Sequence, residues 1–257
     1  MAFAGEYLFR PRSWRRLLRF AGYATVAALS PSTYRQAARE VAVRQIYLTA
    51  WKVLPGYLSF AALLSLVLIE IVSTTAHGYG LSQYALELVL RVLVLELLPL
   101  LTALFVALRS GAAIGAEVAL MRVSGELEDA EEAGASPLHG ELVPRIVAAA
   151  LSVFTLTTLS CALAMLLAKW VFFGTSVAGF DVYTRVVGEV FDEPVLVGFL
   201  LKCLLFGLAV ALIPLATGLE AERGVMRSAP AAVLGGLVKL FFVIGTIEVL
   251  SLVVKYI

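Results

Sequence analysis

Apolar residues gather into five long runs, at 46–76, 82–108, 146–173, 195–217 and 231–254, with the polar residues collected between them. Each run reaches the ~20 residues a helix needs to cross the hydrocarbon core of a bilayer. A spanning segment of this kind is helical, because its backbone finds no water to bond. The first run is longer than one span needs, and Pro55 and Gly56 divide it into a short turn and a span. Ahead of it, 10–28 reads as an amphipathic helix, with Trp14, Leu17, Leu18 and Ala21 on one stripe and Arg12, Arg15, Arg16 and Arg19 beside it. That is the signature of a helix lying in the headgroup layer, where anionic lipid attracts the arginines. The same stretch makes a poor signal-peptide core, because Gly22 and Thr25 interrupt its apolar part. Ser32 then caps a short elbow helix that carries Arg35, Arg39 and Arg44. The pattern predicts an all-α membrane protein with an N-terminal interfacial portion, 1–45, followed by one membrane domain, 46–257.

The two longest polar stretches differ. In 109–143, Ile114, Val118 and Met121 keep helical spacing, and the acids Glu126, Glu128, Asp129, Glu131 and Glu132 follow. Gly134 and Pro137 stop that pattern, so the segment reads as one helix and a turn. The stretch between the third and fourth runs reads as an acidic loop whose basic residue is Arg185. Arginines crowd the N-terminal flank while the loop around His77 has no Lys or Arg, which places the N-terminus and 109–143 on the cytoplasmic side. Five spans then put the C-terminus on the opposite, periplasmic side.

Composition narrows the class. Of 257 residues, 61% are hydrophobic and 15% charged, which excludes a soluble globular domain. A formal net charge of +1, with the basic residues concentrated at one end, argues against a nucleic-acid partner. Cys161 and Cys203 lie in apolar runs without CxxC or ligand spacing and read as packing residues. His77 and His139 stand apart without HExxH spacing, so neither marks a metal site. GTSVAG at 174–179 is not a GxSxG elbow, and no GxxxxGK[ST] phosphate loop occurs. The chain reads as a non-catalytic membrane subunit whose energy comes from a partner or a gradient.

Charges inside the apolar runs are the candidate chemistry, because ionisable groups are costly in hydrocarbon and mark paths or pairs. Glu87 and Arg91, one helical turn apart, are expected to pair with each other. Glu70, Lys202, Lys239 and Glu248 also fall within runs. Glu96, beside Pro99 and near Thr102, has two readings. It lines a groove that is apolar for acyl chains and polar near a headgroup, or it pairs with Arg109, Lys202 or Lys239 to hold helices together.

The stretch from Glu96 onward, ELLPLLTALFVALRSGAAIGAEVALMRV, followed by Gly134, Pro137 and the pair Pro144-Arg145, resembles the MlaE-type permease family. These are membrane subunits of ABC systems that move lipids with MCE-domain proteins. The chain departs from the family pattern at Gly125 and Glu126, where a Glu-Gln pair is usual. It departs again at Glu128, Ala133 and a shortened segment around Gly224. The resemblance implies a homodimeric permease in the bacterial inner membrane. A cytoplasmic coupling helix between its second and third spans would dock a separate ATPase, which binds ATP and Mg, and its cargo would be phospholipid exchanged with a periplasmic MCE protein. It further implies that Glu96, Pro99 and Thr102 flank the lipid path, and that Arg109, Glu117, Met121, Glu126, Glu128 and Arg145 lie at the coupling region. Two other classes remain: an ion-coupled secondary transporter relaying through Glu70, Glu96, Lys202 and Glu248, and a membrane scaffold without a path of its own.

Overall fold

A computed structural model describes residues 22–23, 47, 51–132, 142–174, 176–222, 224–226 and 228–256. The interfacial residues Trp14, Arg12, Arg15, Arg16 and Arg19, the elbow capped by Ser32, and Gly134, Pro137 and His139 lie outside the described residues. Within them the chain is all-α. Five helices are long and apolar enough to cross a membrane: α1 (Leu54–Gly78), α2 (Ser82–Ser124), α4 (Val143–Phe173), α6 (Glu193–Gly218) and α7, which covers Ser228–Tyr256. Two shorter helices, α3 (Glu126–Glu132) and α5 (Val177–Val190), sit at opposite ends of the bundle. Those two ends are called here the α3 end and the α5 end.

Pro55 opens α1 in its first turn, where a missing N–H costs nothing. α1 lays Tyr57, Ala61, Ser65 and Ile69, a strict i, i+4 stripe, into the bundle and faces outward elsewhere. Tyr57 packs on Phe105 with ring centroids 4.7 Å apart. Its hydroxyl donates to the Thr102 oxygen, whose own proton goes to the Leu98 carbonyl at 2.7 Å.

α2 departs most from the sequence expectation. It does not end near 108 but continues unbroken for 43 residues to Ser124, so Glu117 and Met121 ride on the spanning helix itself. At ~1.5 Å per residue this is about 64 Å of helix, twice what a bilayer core requires. Two stretches, Val89–Leu97 and Ala107–Gly111, are wound as π-helix, with the Leu98 and Ala112 N–H groups bonding five residues back. In the first, the Val94 carbonyl accepts from the Cys161 thiol at 3.3 Å, which gives that buried cysteine a bonding role beyond packing. Gly125 ends α2 at φ 84°, a left-handed conformation open to glycine at little cost. The expected single helix through 109–143 is thereby divided into the tail of α2 and the short acidic α3.

The segment read as an acidic loop between the third and fourth runs is largely helical, which corrects that expectation. Ser176 caps α5 by accepting the Gly179 N–H at 3.1 Å, and Asp192 caps α6 through the Val195 N–H at 3.1 Å. Tyr183 anchors α5 to α4 by donating to the Met165 carbonyl at 3.1 Å, and burial raises its phenol pKa. The opposite face of α5 carries Asp181, Arg185 and Glu189 outward.

Towards the α3 end, α2, α6 and α7 meet almost backbone to backbone. A Cβ at Gly218 would lie 2.8 Å from the Gly115 carbonyl oxygen, and one at Gly115 would lie 3.3 Å from that of Pro214. A Cβ at Gly236 of α7 would collide instead with the Thr217 side chain. Small residues permit this approach, on which helix association in lipid depends. Gly218→Ala is therefore expected to lower stability by ~1–3 kcal/mol. Gly245→Ala, on an open face of α7 with nothing within 4 Å of an added Cβ, should be neutral or slightly stabilising. Thermal unfolding of the detergent-purified protein separates the two; equal midpoints would contradict the tight crossing.

Candidate functional site

Four charged side chains meet inside the bundle on the α5 side. Lys202 of α6, only 2% exposed at its side chain, sits between two carboxylates. It pairs with Glu96 from the first π-wound stretch of α2 and with Glu248 of α7, the latter at 2.8 Å. Lys255, near the end of α7, reaches the other Glu96 oxygen at 2.7 Å. Two ammonium and two carboxylate groups sum to zero, which is the arrangement that makes buried charge tolerable. The Lys202 ammonium also stands 5.8 Å from the centre of the Phe206 ring.

Beside this cluster lies a cavity of about 400 Å³ between α2, α6 and α7. Glu96, Lys202, Ser251 and Lys255 supply its polar lining, and Leu95, Val195, Phe199, Leu205, Ile247, Leu250 and Val254 are among its apolar residues. A volume of this size, apolar with a few convergent charges, falls in the range of small-molecule and lipid sites. Of the residues expected to flank a path, Glu96 lines the cavity. Pro99 and Thr102 are buried, and Thr102 is bonded to Tyr57 in the contact with α1; neither lines the cavity. The expected partners of Glu96 are sorted as well. Lys202 pairs with it, Lys239 turns instead to Glu220 at 3.2 Å, and Arg109 is exposed in the second π-wound stretch of α2. Glu87 and Arg91 pair with each other at 2.8 Å, and Glu70 is exposed.

At the α3 end a shallower groove of about 380 Å³ is lined by Glu117, Leu120, Met121 and Ser124 of α2, Glu126 of α3, Arg145 of α4, and Met226. It gathers four of the six residues expected at the coupling region. Arg145 is 7% exposed and reaches back to Glu117, its Nη2 donating at 3.0 Å. Glu128 does not face the groove; it pairs with Arg122 across the Gly125 joint. Arg109 lies on α2 between the two sites and lines neither.

Sequence reasoning missed Lys255 and Met226. Lys255 looks like an ordinary charge at a span end, and only the return of α7 beside α2 brings it to Glu96. Met226 sits in a short connection with no periodicity to mark it.

Removing Lys202 takes away the counter-charge of Glu248, whereas Glu96 keeps Lys255. Lys202→Met is expected to cost ~3–5 kcal/mol and reduce the amount of protein in the membrane. Adding Glu248→Gln to it, which leaves the Glu96–Lys255 pair intact, should recover most of that loss. Thermal midpoints of the single and double variants give the answer, and a double variant no better than the single would mean that Lys202 and Glu248 do not interact.

Comparison of the sequence with known proteins identifies its family. The chain is 30% identical over 151 residues to a protein of Synechocystis sp. (strain ATCC 27184 / PCC 6803 / Kazusa) described as probable ABC transporter permease protein slr1045. That match covers 57% of each chain, so the chain aligns with little more than half the length of this relative. The model of the family described as Permease MlaE matches residues 42–254, all five spanning helices included, and the chain is a multi-pass membrane protein that belongs to that family.

Proposed function

We propose that the chain is the permease subunit of an ABC transporter that moves phospholipid between the bacterial inner membrane and a periplasmic MCE-domain protein. A separate cytoplasmic ATPase, binding ATP and Mg, drives it. The observation that carries this reading is the continuity of α2: one unbroken helix of 43 residues bears Glu96 at the cavity and Glu117 and Met121 at the groove. A push on the groove reaches the cavity as a rigid-body shift of that helix. The cavity offers acyl chains an apolar lining and offers a headgroup the charges of Glu96, Lys202 and Lys255. Two copies form the working unit, for which the outward apolar faces of α1 and α7 supply surface; only 17% of the residues in the spanning window of each are buried. The N-terminus and the α3 end face the cytoplasm, and α5 and the C-terminus face the periplasm.

Benzoylphenylalanine placed at Phe199 or Leu250 and irradiated after detergent purification should yield phospholipid adducts. The same probe at Val67, 56% exposed on the outer face of α1, should yield none once bulk lipid is removed. Adducts absent from both cavity positions would remove the path assignment.

Transfer of a fluorescent phospholipid from proteoliposomes carrying the permease and its ATPase is expected to require ATP. Charge reversal at Glu117 and Glu126 together with Met121→Ala should lower it at least tenfold, about 1.4 kcal/mol of coupling. Lipid movement that follows a proton gradient without nucleotide would instead support ion-coupled transport through the Glu96–Lys202–Glu248 cluster. Retained partners and unchanged lipid transfer after loss of the cluster charges would support a scaffold.

A further inference from the structure

The turn between α6 and α7 is too well held to be only a connection. Gly224, at φ +75°, donates its N–H to the carbonyl of Val123 at 3.0 Å, which pins the turn to the last turn of α2. Ser228 closes it from the other side, its hydroxyl accepting the Glu222 N–H at 2.9 Å and donating to the Val225 carbonyl at 2.7 Å. Among the described residues of this pinned turn, Met226 is 66% exposed and Val225 43%, beside the exposed Glu222. Exposed apolar side chains along the spans face lipid, but Met226 lies between spans, at the edge of the groove that also holds Leu120 and Met121.

We propose that the α6–α7 turn is a second docking element for the ATPase. Met226 and Met121 are the jaws of a groove that takes an apolar side chain of that subunit, flanked by its basic residues. The inference rests on the reading of the chain as an ABC permease and adds a contact outside the segment between the second and third spans. Charge selects the occupant. Among the described residues lining the groove, the carboxylates are Glu117 and Glu126; the cation, Arg145, is 7% exposed and already engaged by Glu117. The rim thus favours a basic partner. An apolar centre with a polar rim is the usual anatomy of a binding hot spot, and thioethers adapt readily to an incoming side chain. Because Gly224 ties the turn to α2, both jaws belong to one rigid unit, and force on Met226 enters the helix that leads to Glu96.

Met226→Cys gives a surface thiol in a chain whose own Cys161 and Cys203 are buried. Benzophenone maleimide attached there, in membranes of cells that make the whole transporter, should crosslink on irradiation to a chain carrying a GxxxxGK[ST] phosphate loop, identified by its peptides. Adducts confined to the permease itself, to a second permease copy or to lipid would overturn the proposal. In parallel, Met226→Glu should lower ATPase co-purification about tenfold and Met226→Leu should restore it, with both variants eluting like the wild type in detergent. If charge reversal at Glu117 and Glu126 releases the ATPase while Met226→Glu retains it, the turn is not a docking element and the ABC reading stands. If the wild-type permease retains no ATPase, the ABC reading falls, and this inference with it.

Discussion

A lysine ammonium carried into hydrocarbon has to keep counter-charge beside it, and at Lys202 that requirement ties three helices together. Glu96 comes from α2 and Glu248 from α7, so the ion cluster sets how deeply these helices sit against α6 as well as how they face it. The π winding of Val89–Leu97 is part of the same solution. A wider turn admits an extra residue, which alters the face on which Glu96 emerges relative to a regular helix, and the Cys161 thiol bonds a carbonyl within that stretch. The charged wall of the apolar cavity is in this way neutralised by partners on α2, α6 and α7.

At the α3 end the constraint is steric. Glycines at 115, 218 and 236 remove the side chains that would keep α2, α6 and α7 apart, leaving contacts between backbones and Pro214 and Thr217. The α5 side is thus joined through its charge cluster, whereas at the α3 end close packing is combined with the Arg145–Glu117 and Lys239–Glu220 pairs. α2 runs through both, so the groove and the cavity are two stations on one element.

Much of this was legible in the sequence, and where it was not the reason is physical. The five spans follow from long apolar runs, whose information is local and strong. Glu87 and Arg91 revealed their pairing because one helical turn separates them. Glu96 announced itself as costly, but its partners lie 106 and 159 residues away, a separation that no local pattern encodes. Thr102 looked available for a path until Tyr57, 45 residues earlier, claimed its hydroxyl. The extent of α2 was hidden because its polar tail resembles a loop helix, although the departure at Gly125 marked the place where it ends. In α5, the cap at Ser176 and the spacing of Gly179, Tyr183, Val186 and Val190 were readable signals that the acidic composition of the stretch obscured.

The crossing of α2 over α6 at Gly115 divides α2 into unequal arms. Ser124 lies 9 residues beyond it and Glu96 lies 19 residues before it, or about 14 Å and about 28 Å at ~1.5 Å per residue. A rigid tilt about that point would move Glu96 in the opposite sense to Ser124 and about twice as far. With arms of that ratio, a small displacement of α2 at the groove would accompany a larger one at the cavity.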